Sequence, residues 1–210
     1  MRTALLCAFA TLLAVAATAT AHTRTASAGC STVKKPKLGA RSGSKSFPKL
    51  SRSKTYDVVI ATNCGSFTIK LAVRISPHTT ASFANLVRRG FFDRTIFHRI
   101  VPGFVIQGGD PTGTGLGGPG YTTVDKPPAS TQYTLGLVAM AKTPTQAPGT
   151  SGSQFFVVTG ANVGLSPDYA VLGTVTSGLG VVERIGKLGS ASTEQPTRVV
   201  EIEKATLHVH

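Results

Sequence analysis

From Tyr56 onward the chain is a succession of short β-branched and aromatic runs, each cut off within a few residues by glycine or proline, and this punctuation limits the fold more than any other feature. The runs fall at 56–62, 66–72, 96–101, 104–107, 135–141, 154–159, 170–176 and 199–209. Most are too short for helices, and they are rich in residues that favour a pleated, half-buried surface. Asn63-Cys64-Gly65 between the first two is a hairpin signal, and Phe67, Ile69 and Leu71 alternate onto one face of the second. Only two stretches read as helix. The first has Ser76 as N-cap, Pro77 at the first helical position, Phe83, Leu86 and Val87 on one stripe, Arg88 and Arg89 in the last turn and Gly90 beyond. The second lies between Gly178 and Gly189, with Leu179, Val182 and Ile185 at helical spacing. Many strands and two helices predict a mainly β barrel or sandwich.

The 210 residues carry a net charge of +13, which would suggest a polyanion partner if it were spread over the fold. It is not. Ten of the 22 Lys and Arg and none of the nine Asp and Glu precede Asp57, so the predicted domain is only slightly basic and no nucleic-acid groove is expected. At the start, Arg2, an apolar run from Ala4 to Ala17 and Ala19-Thr20-Ala21 form the three parts of a signal peptide over 1–21, with cleavage near 28–30 as the variant. The run is shorter than the roughly 20 residues a membrane span needs. Residues 22–55, dominated by Lys, Ser, Pro and Gly, read as a disordered basic tether, because they hold too little apolar surface to offset the entropy of ordering. The domain is then 56–210. Export leaves Cys30 and Cys64, an even count that suggests a disulfide in an oxidising compartment. A competing reading makes Ser27-Ala28-Gly29-Cys30 a lipobox with Cys30 acylated, although Ser27 stands where a bulky apolar residue is usual.

Several motifs lack the context their chemistry needs. Gly113-Thr114-Gly115-Leu116-Gly117-Gly118 matches a dinucleotide fingerprint but runs from Asp110-Pro111 into Pro119-Gly120, so it reads as a loop. The five histidines show no ligand spacing beyond His208 and His210 at the terminus, so no metal is expected. Ser151-Gly152-Ser153 is no nucleophile elbow, and no residue pair suggests covalent catalysis.

What remains is Phe97-His98-Arg99-Ile100-Val101-Pro102-Gly103-Phe104-Val105-Ile106-Gln107-Gly108-Gly109-Asp110, followed by Gly152-Ser153-Gln154-Phe155-Phe156. Strict alternation puts Phe97, Arg99 and Val101 on one face and His98 and Ile100 on the other. From the residues alone, Arg99 is equally an arginine whose stem packs on the sheet while its head reaches water, or a functional group.

These two segments resemble the signature of the cyclophilins, and the similarity extends from Tyr56 to the C terminus, including Met140-Ala141 and Tyr169-Ala170-Val171-Leu172-Gly173. The resemblance implies a closed eight-stranded antiparallel β-barrel capped by two helices, with a peptidyl-prolyl isomerase site on its outer face. It makes Arg99 the catalytic residue. Phe104, Val105, Phe156 and Leu165 would line the proline pocket, Gln107 and Gln154 would hydrogen-bond the peptide, and Ala141 and Lys142 would present backbone to it. This sequence departs from many members at three places: Gly164 stands for a Trp, Tyr169 for a pocket His and Lys142 for an Asn.

Such residues suit the reaction. A peptide bond resists rotation by about 18–20 kcal/mol because the nitrogen lone pair is delocalised into the carbonyl, and X-Pro bonds turn over unaided in tens to hundreds of seconds. A guanidinium that holds the prolyl carbonyl and donates toward the pyramidalising nitrogen binds the twisted state better than either planar one. No cofactor is needed. The expected partners are proline-containing polypeptides outside the cytoplasm, met by a monomeric chain that assists their folding. A weak association of the basic segment with acidic envelope polymers is the further expectation, and a non-catalytic proline-peptide module or holdase is the alternative function.

Overall fold

In the computed structural model, which describes residues 29–210, both helices and every strand except the short pair at Thr123–Val124 and Thr150–Ser151 fall in the stretches that the punctuation of the sequence marks out. Eleven strands and two helices follow one another as β1 Tyr56–Thr62, β2 Gly65–Leu71, α1 Pro77–Arg88, β3 Thr95–Ile96, β4 Arg99–Val101, β5 Val105–Gly108, β6 Thr123–Val124, β7 Leu137–Met140, β8 Thr150–Ser151, β9 Phe155–Val158, β10 Val171–Ser177, α2 Leu179–Gly186 and β11 Glu201–Val209. Nine form one antiparallel sheet in the order β3-β11-β1-β2-β10-β7-β9-β5-β4, while β6 and β8 pair apart. The signal peptide expected over 1–21 lies outside the described residues.

The two edge strands, β3 and β4, are consecutive pieces of one run separated only by Phe97 and His98. A sheet that begins and ends on the same stretch of chain has to curl, and counting that run as one interrupted strand gives the expected eight. The join is through the chain rather than through a β3–β4 ladder. The interruption also corrects the expected alternation. Phe97 and Ile100 both enter the inner core, with Phe67, Phe83, Phe92, Phe155 and the apolar faces of both helices, so Phe97 does not share a face with Arg99.

Helix α1 starts at Pro77 as expected, but Ser76 makes no side-chain cap bond. The backbone amide of the buried Thr79 donates instead to Asp125 Oδ2 at 2.6 Å, and His78 Nδ1 lies 2.9 Å from Asp125 Oδ1. A distant carboxylate therefore satisfies the helix N-terminus in place of the local hydroxyl.

The disordered tether expected over 22–55 is also corrected for its described part, 29–55. This segment forms no helix or strand, yet it is strapped across the domain. Cys30 is disulfide-bonded to Cys64 at the β1–β2 hairpin, which also occupies the sulfur that the lipobox reading would acylate. Gly39 donates to Pro111 O and Gly43 to Pro119 O. The Arg41 guanidinium takes the carbonyls of Gly90, Phe91 and Asp93, closing the turn that follows α1. Pro36 and Leu50 are buried, and Phe47 packs on Tyr121 with ring centroids 5.9 Å apart. A few apolar anchors and donors, spaced along an otherwise polar stretch, order it without secondary structure.

Candidate functional site

The site is built by the pleat. Along β7, β9, β5 and β4 alternate residues point away from the inner core, and the registers align Ala139, Phe156, Gln107 and Arg99 in one row across four neighbouring strands. Val158, Val105 and Val101 form the next row. On this outer face Val105, Tyr133, Ala139, Phe156 and Val158 make a second, smaller apolar cluster, joined by Phe104, Ala141, Leu165 and Tyr169. A cavity of about 400 Å³ opens there, lined by Arg99, Phe104, Val105, Gln107, Ala141, Lys142, Pro144, Phe156, Leu165 and Tyr169. Every residue assigned to the site from the sequence lines this cavity except Gln154.

Gln154 lies one step along the groove, in an adjoining cavity of about 610 Å³ that shares Gln107, Ala141 and Lys142 with the first. A line of hydrogen bonds runs along the floor of both. Glu194 Oε2 accepts from Arg99 Nε at 2.7 Å, Arg99 Nη1 donates to Gln107 Oε1 at 3.3 Å, and Gln107 Nε2 donates to Gln154 Oε1 at 3.1 Å. Gln154 Nε2 then donates to the carbonyls of Gly115 and Gly117, both at 2.9 Å. Of the five N–H donors of Arg99, three are left without a partner among the described residues, and its guanidinium carbon lies 5.9 Å from the centroid of the Phe104 ring. A half-buried cation with spare donors at the wall of an apolar cavity suits a carbonyl oxygen whose negative charge must be held away from bulk water.

Ala141 uses its amide on Gln154 O at 2.9 Å. Lys142 folds back on the rim, with Nζ donating to Thr143 O and Gln146 O and lying 5.6 Å from the centroid of the Tyr169 ring. Gly164 sits at φ +65°, where any side chain would strain the backbone, so this loop is built for glycine.

Three residues that shape the site were not singled out from the sequence. Asp110 is buried and its carboxylate accepts from the amides of Thr112, Thr114, Gly115 and Gly117, fixing the glycine-rich loop that walls the larger cavity. Burial pushes the Asp110 carboxyl up, but the bonds from Thr112, Gly117 and Gly115 outweigh it and hold the group below the usual Asp value. Tyr133, fully buried, stacks edge-on with Tyr169 beneath the pocket; its hydroxyl donates to Tyr169 O at 2.7 Å and accepts from Tyr169 N at 3.0 Å. Burial pushes the Tyr133 phenol up to about 12. Glu194 is the third. Its carboxyl is held below the usual glutamate value by the hydrogen bond from Arg99. The signal for Asp110 was available, since an acid followed by Thr and Gly is a loop organiser. Glu194 and Tyr133 are ordinary residue types remote in sequence from what they touch. His98, beside Arg99, is buried, and that burial, reinforced by Arg99 and opposed by Asp110, lowers its pKa. Among the described residues no group of three or more His, Cys, Asp or Glu is placed to hold a metal ion.

Residues 57–207 match the family model for cyclophilin type peptidyl-prolyl cis-trans isomerase/CLD. The peptidyl-prolyl cis-trans isomerase-like 1 of Gibberella zeae is 40% identical over 155 residues, covering 72% of this chain and 94% of that protein. The protein of the same name from Bos taurus is 39% identical over 153 residues, covering 71% and 90%. A crystal structure of a cyclophilin type peptidyl-prolyl cis-trans isomerase from Cryptosporidium parvum superimposes with a TM-score of 0.68 at 31% identity, over 73% of this chain and 98% of that one. A second crystal structure of that protein, in the presence of the dipeptide Ala-Pro, gives a TM-score of 0.66 over 72% and 98%. The outer-face row, its apolar cavity and these matches agree, and the chain belongs to the cyclophilin-type peptidyl-prolyl cis-trans isomerase family.

Proposed function

We propose that this chain turns over X-Pro bonds in exported polypeptides, with Arg99 as the catalytic residue. The observation that carries the reading is the single cross-strand row in which Arg99 and Gln107 stand beside Phe156 at the wall of the 400 Å³ cavity. The proline ring enters between Phe104, Phe156 and Leu165, and its burial holds one side of the bond while the acyl side rotates. Arg99 uses its spare donors on the prolyl carbonyl and toward the pyramidalising nitrogen, an interaction that strengthens as the amide twists. Gln107 and Gln154 extend the polar floor along which the rest of the peptide lies. The Cryptosporidium protein was crystallised in the presence of the dipeptide Ala-Pro, a molecule of the class this cavity suits. Action outside the cytoplasm is supported by the Cys30–Cys64 disulfide, since such bonds persist in oxidising compartments.

The test is isomerisation of an X-Pro peptide by the purified chain and by Arg99→Ala. The variant keeps its fold, read by circular dichroism, and loses roughly 10²–10³ of its turnover, the scale of removing one preorganised donor. Turnover within a factor of a few of the unmutated chain would overturn the role given to Arg99.

A further inference from the structure

Glu194 lies on the loop between α2 and β11, 95 residues from Arg99 in sequence. Three features of that loop converge on the guanidinium. The loop lies flush on β4: Ile100 donates its amide to Glu194 O at 2.9 Å, and a Cβ on Gly189 would collide with the Ile100 carbonyl. It is closed on itself by Glu194 N to Ser190 O and Ser190 N to Gln195 O. Glu194 adopts φ +57°, a left-handed conformation that only one other non-glycine residue, Arg94, shares among the described residues. Held strain of this kind persists where the surroundings over-determine it. Here it accompanies a 2.7 Å charge-assisted bond from Arg99 Nε to Glu194 Oε2.

An arginine side chain is long and flexible, and Gln107 alone fixes it through one bond of 3.3 Å. A carboxylate on the Nε edge leaves the remaining donors for substrate. Glu194 is about half exposed, with 47% of its side chain accessible, so the pair adds little to stability, and its use lies in orientation. We infer that Glu194 is a positioning residue for the isomerisation, holding the Arg99 guanidinium in the plane from which its free N–H groups meet the twisting amide. This inference rests on the reading of Arg99 as the catalytic residue.

The informative variant is Glu194→Gly, because glycine accepts φ +57° without strain and keeps the backbone bond to Ile100. The expected result is about a tenfold loss of kcat, the scale of a loosened but present catalytic group. The dissociation constant of an Ala-Pro peptide and KM stay unchanged, and Tm is equal or higher. Glu194→Gln, whose amide oxygen still accepts from Nε, recovers turnover to within about threefold of the unmutated chain. The Arg99 Nε–H cross-peak in a ¹⁵N-¹H spectrum exchanges slowly in the unmutated chain and is lost to solvent exchange in Glu194→Gly. In the Arg99→Ala background Glu194→Gly has no further effect. Undiminished kcat in Glu194→Gly, or a kcat loss accompanied by lower Tm and weaker peptide binding, overturns the inference. If Arg99→Ala keeps its turnover, the underlying reading fails instead.

Discussion

Replacing Tyr133 by Phe removes one oxygen atom and opens essentially no cavity, so it isolates the hydroxyl that serves the backbone of Tyr169 twice, as donor at 2.7 Å and as acceptor at 3.0 Å. Without it the amide and carbonyl of Tyr169 both lose their partner on a side where the fully buried Tyr133 ring keeps water out. An orphaned buried polar group costs about 1–3 kcal/mol; Tyr169 itself is only half-buried, so the loss for the pair should be about 2 kcal/mol. At an m-value of about 2 kcal/mol/M in urea, the unfolding midpoint falls by about 1 M with m unchanged. Because Tyr169 walls the pocket against Phe156, with ring centroids 5.4 Å apart, KM for a proline peptide should rise while kcat moves little. The phenol provides a second check. Its pKa is raised to about 12 in the fold from about 10, so its contribution is complete below pH 10 and is lost as the pH climbs toward 12. Tyr133→Phe should flatten that alkaline limb. A midpoint shift under about 0.3 M, or an unchanged alkaline limb, would refute the assignment of this hydroxyl as the anchor of Tyr169.

Removing the disulfide as Cys30→Ser with Cys64→Ser reopens a loop of sequence separation 34, which on the entropic model lowers stability by about 3–4 kcal/mol. Turnover at 25 °C should be unchanged, and a denaturation midpoint equal to that of the oxidised chain would sink the prediction. His98 has its pKa lowered by burial, so in acid the unfolded chain takes up the proton first. Stability should therefore decline as pH falls below about 6.5 toward the depressed folded value, and His98→Gln should lessen that slope. An imidazole that titrates at or above 6.5 by NMR contradicts this.

The strands could be read from the sequence because each apolar run is both a local preference and a buried strip, so propensity and packing agree. Helix α1 was legible at both ends for the same reason, down to Pro77 and Gly90. What could not be read depends on contacts between distant residues. Alternation misplaced Phe97 because the chain turns between β3 and β4, and a two-residue break inside an apolar run leaves no mark in composition. The strap over 29–55 looks disordered by composition because Lys and Ser dominate it. Arg41, Phe47 and Leu50 nonetheless find carbonyls, a ring and a core on the domain they precede. The pocket residues were legible through the resemblance, whereas Glu194 and Tyr133 act on Arg99 and Tyr169 across 95 and 36 residues.

The β4 edge of the sheet carries a consequence for the proposed action on unfolded chains. Exposed strand edges present unpaired amides and carbonyls that recruit other strands, and partly folded polypeptides are the partners most ready to add to them. Here β4 has its far side occupied by the loop that carries Glu194, with the Ile100 amide already bonded to it. Beside the site, along β4, another chain would therefore meet little free backbone on which to grow a β-ribbon.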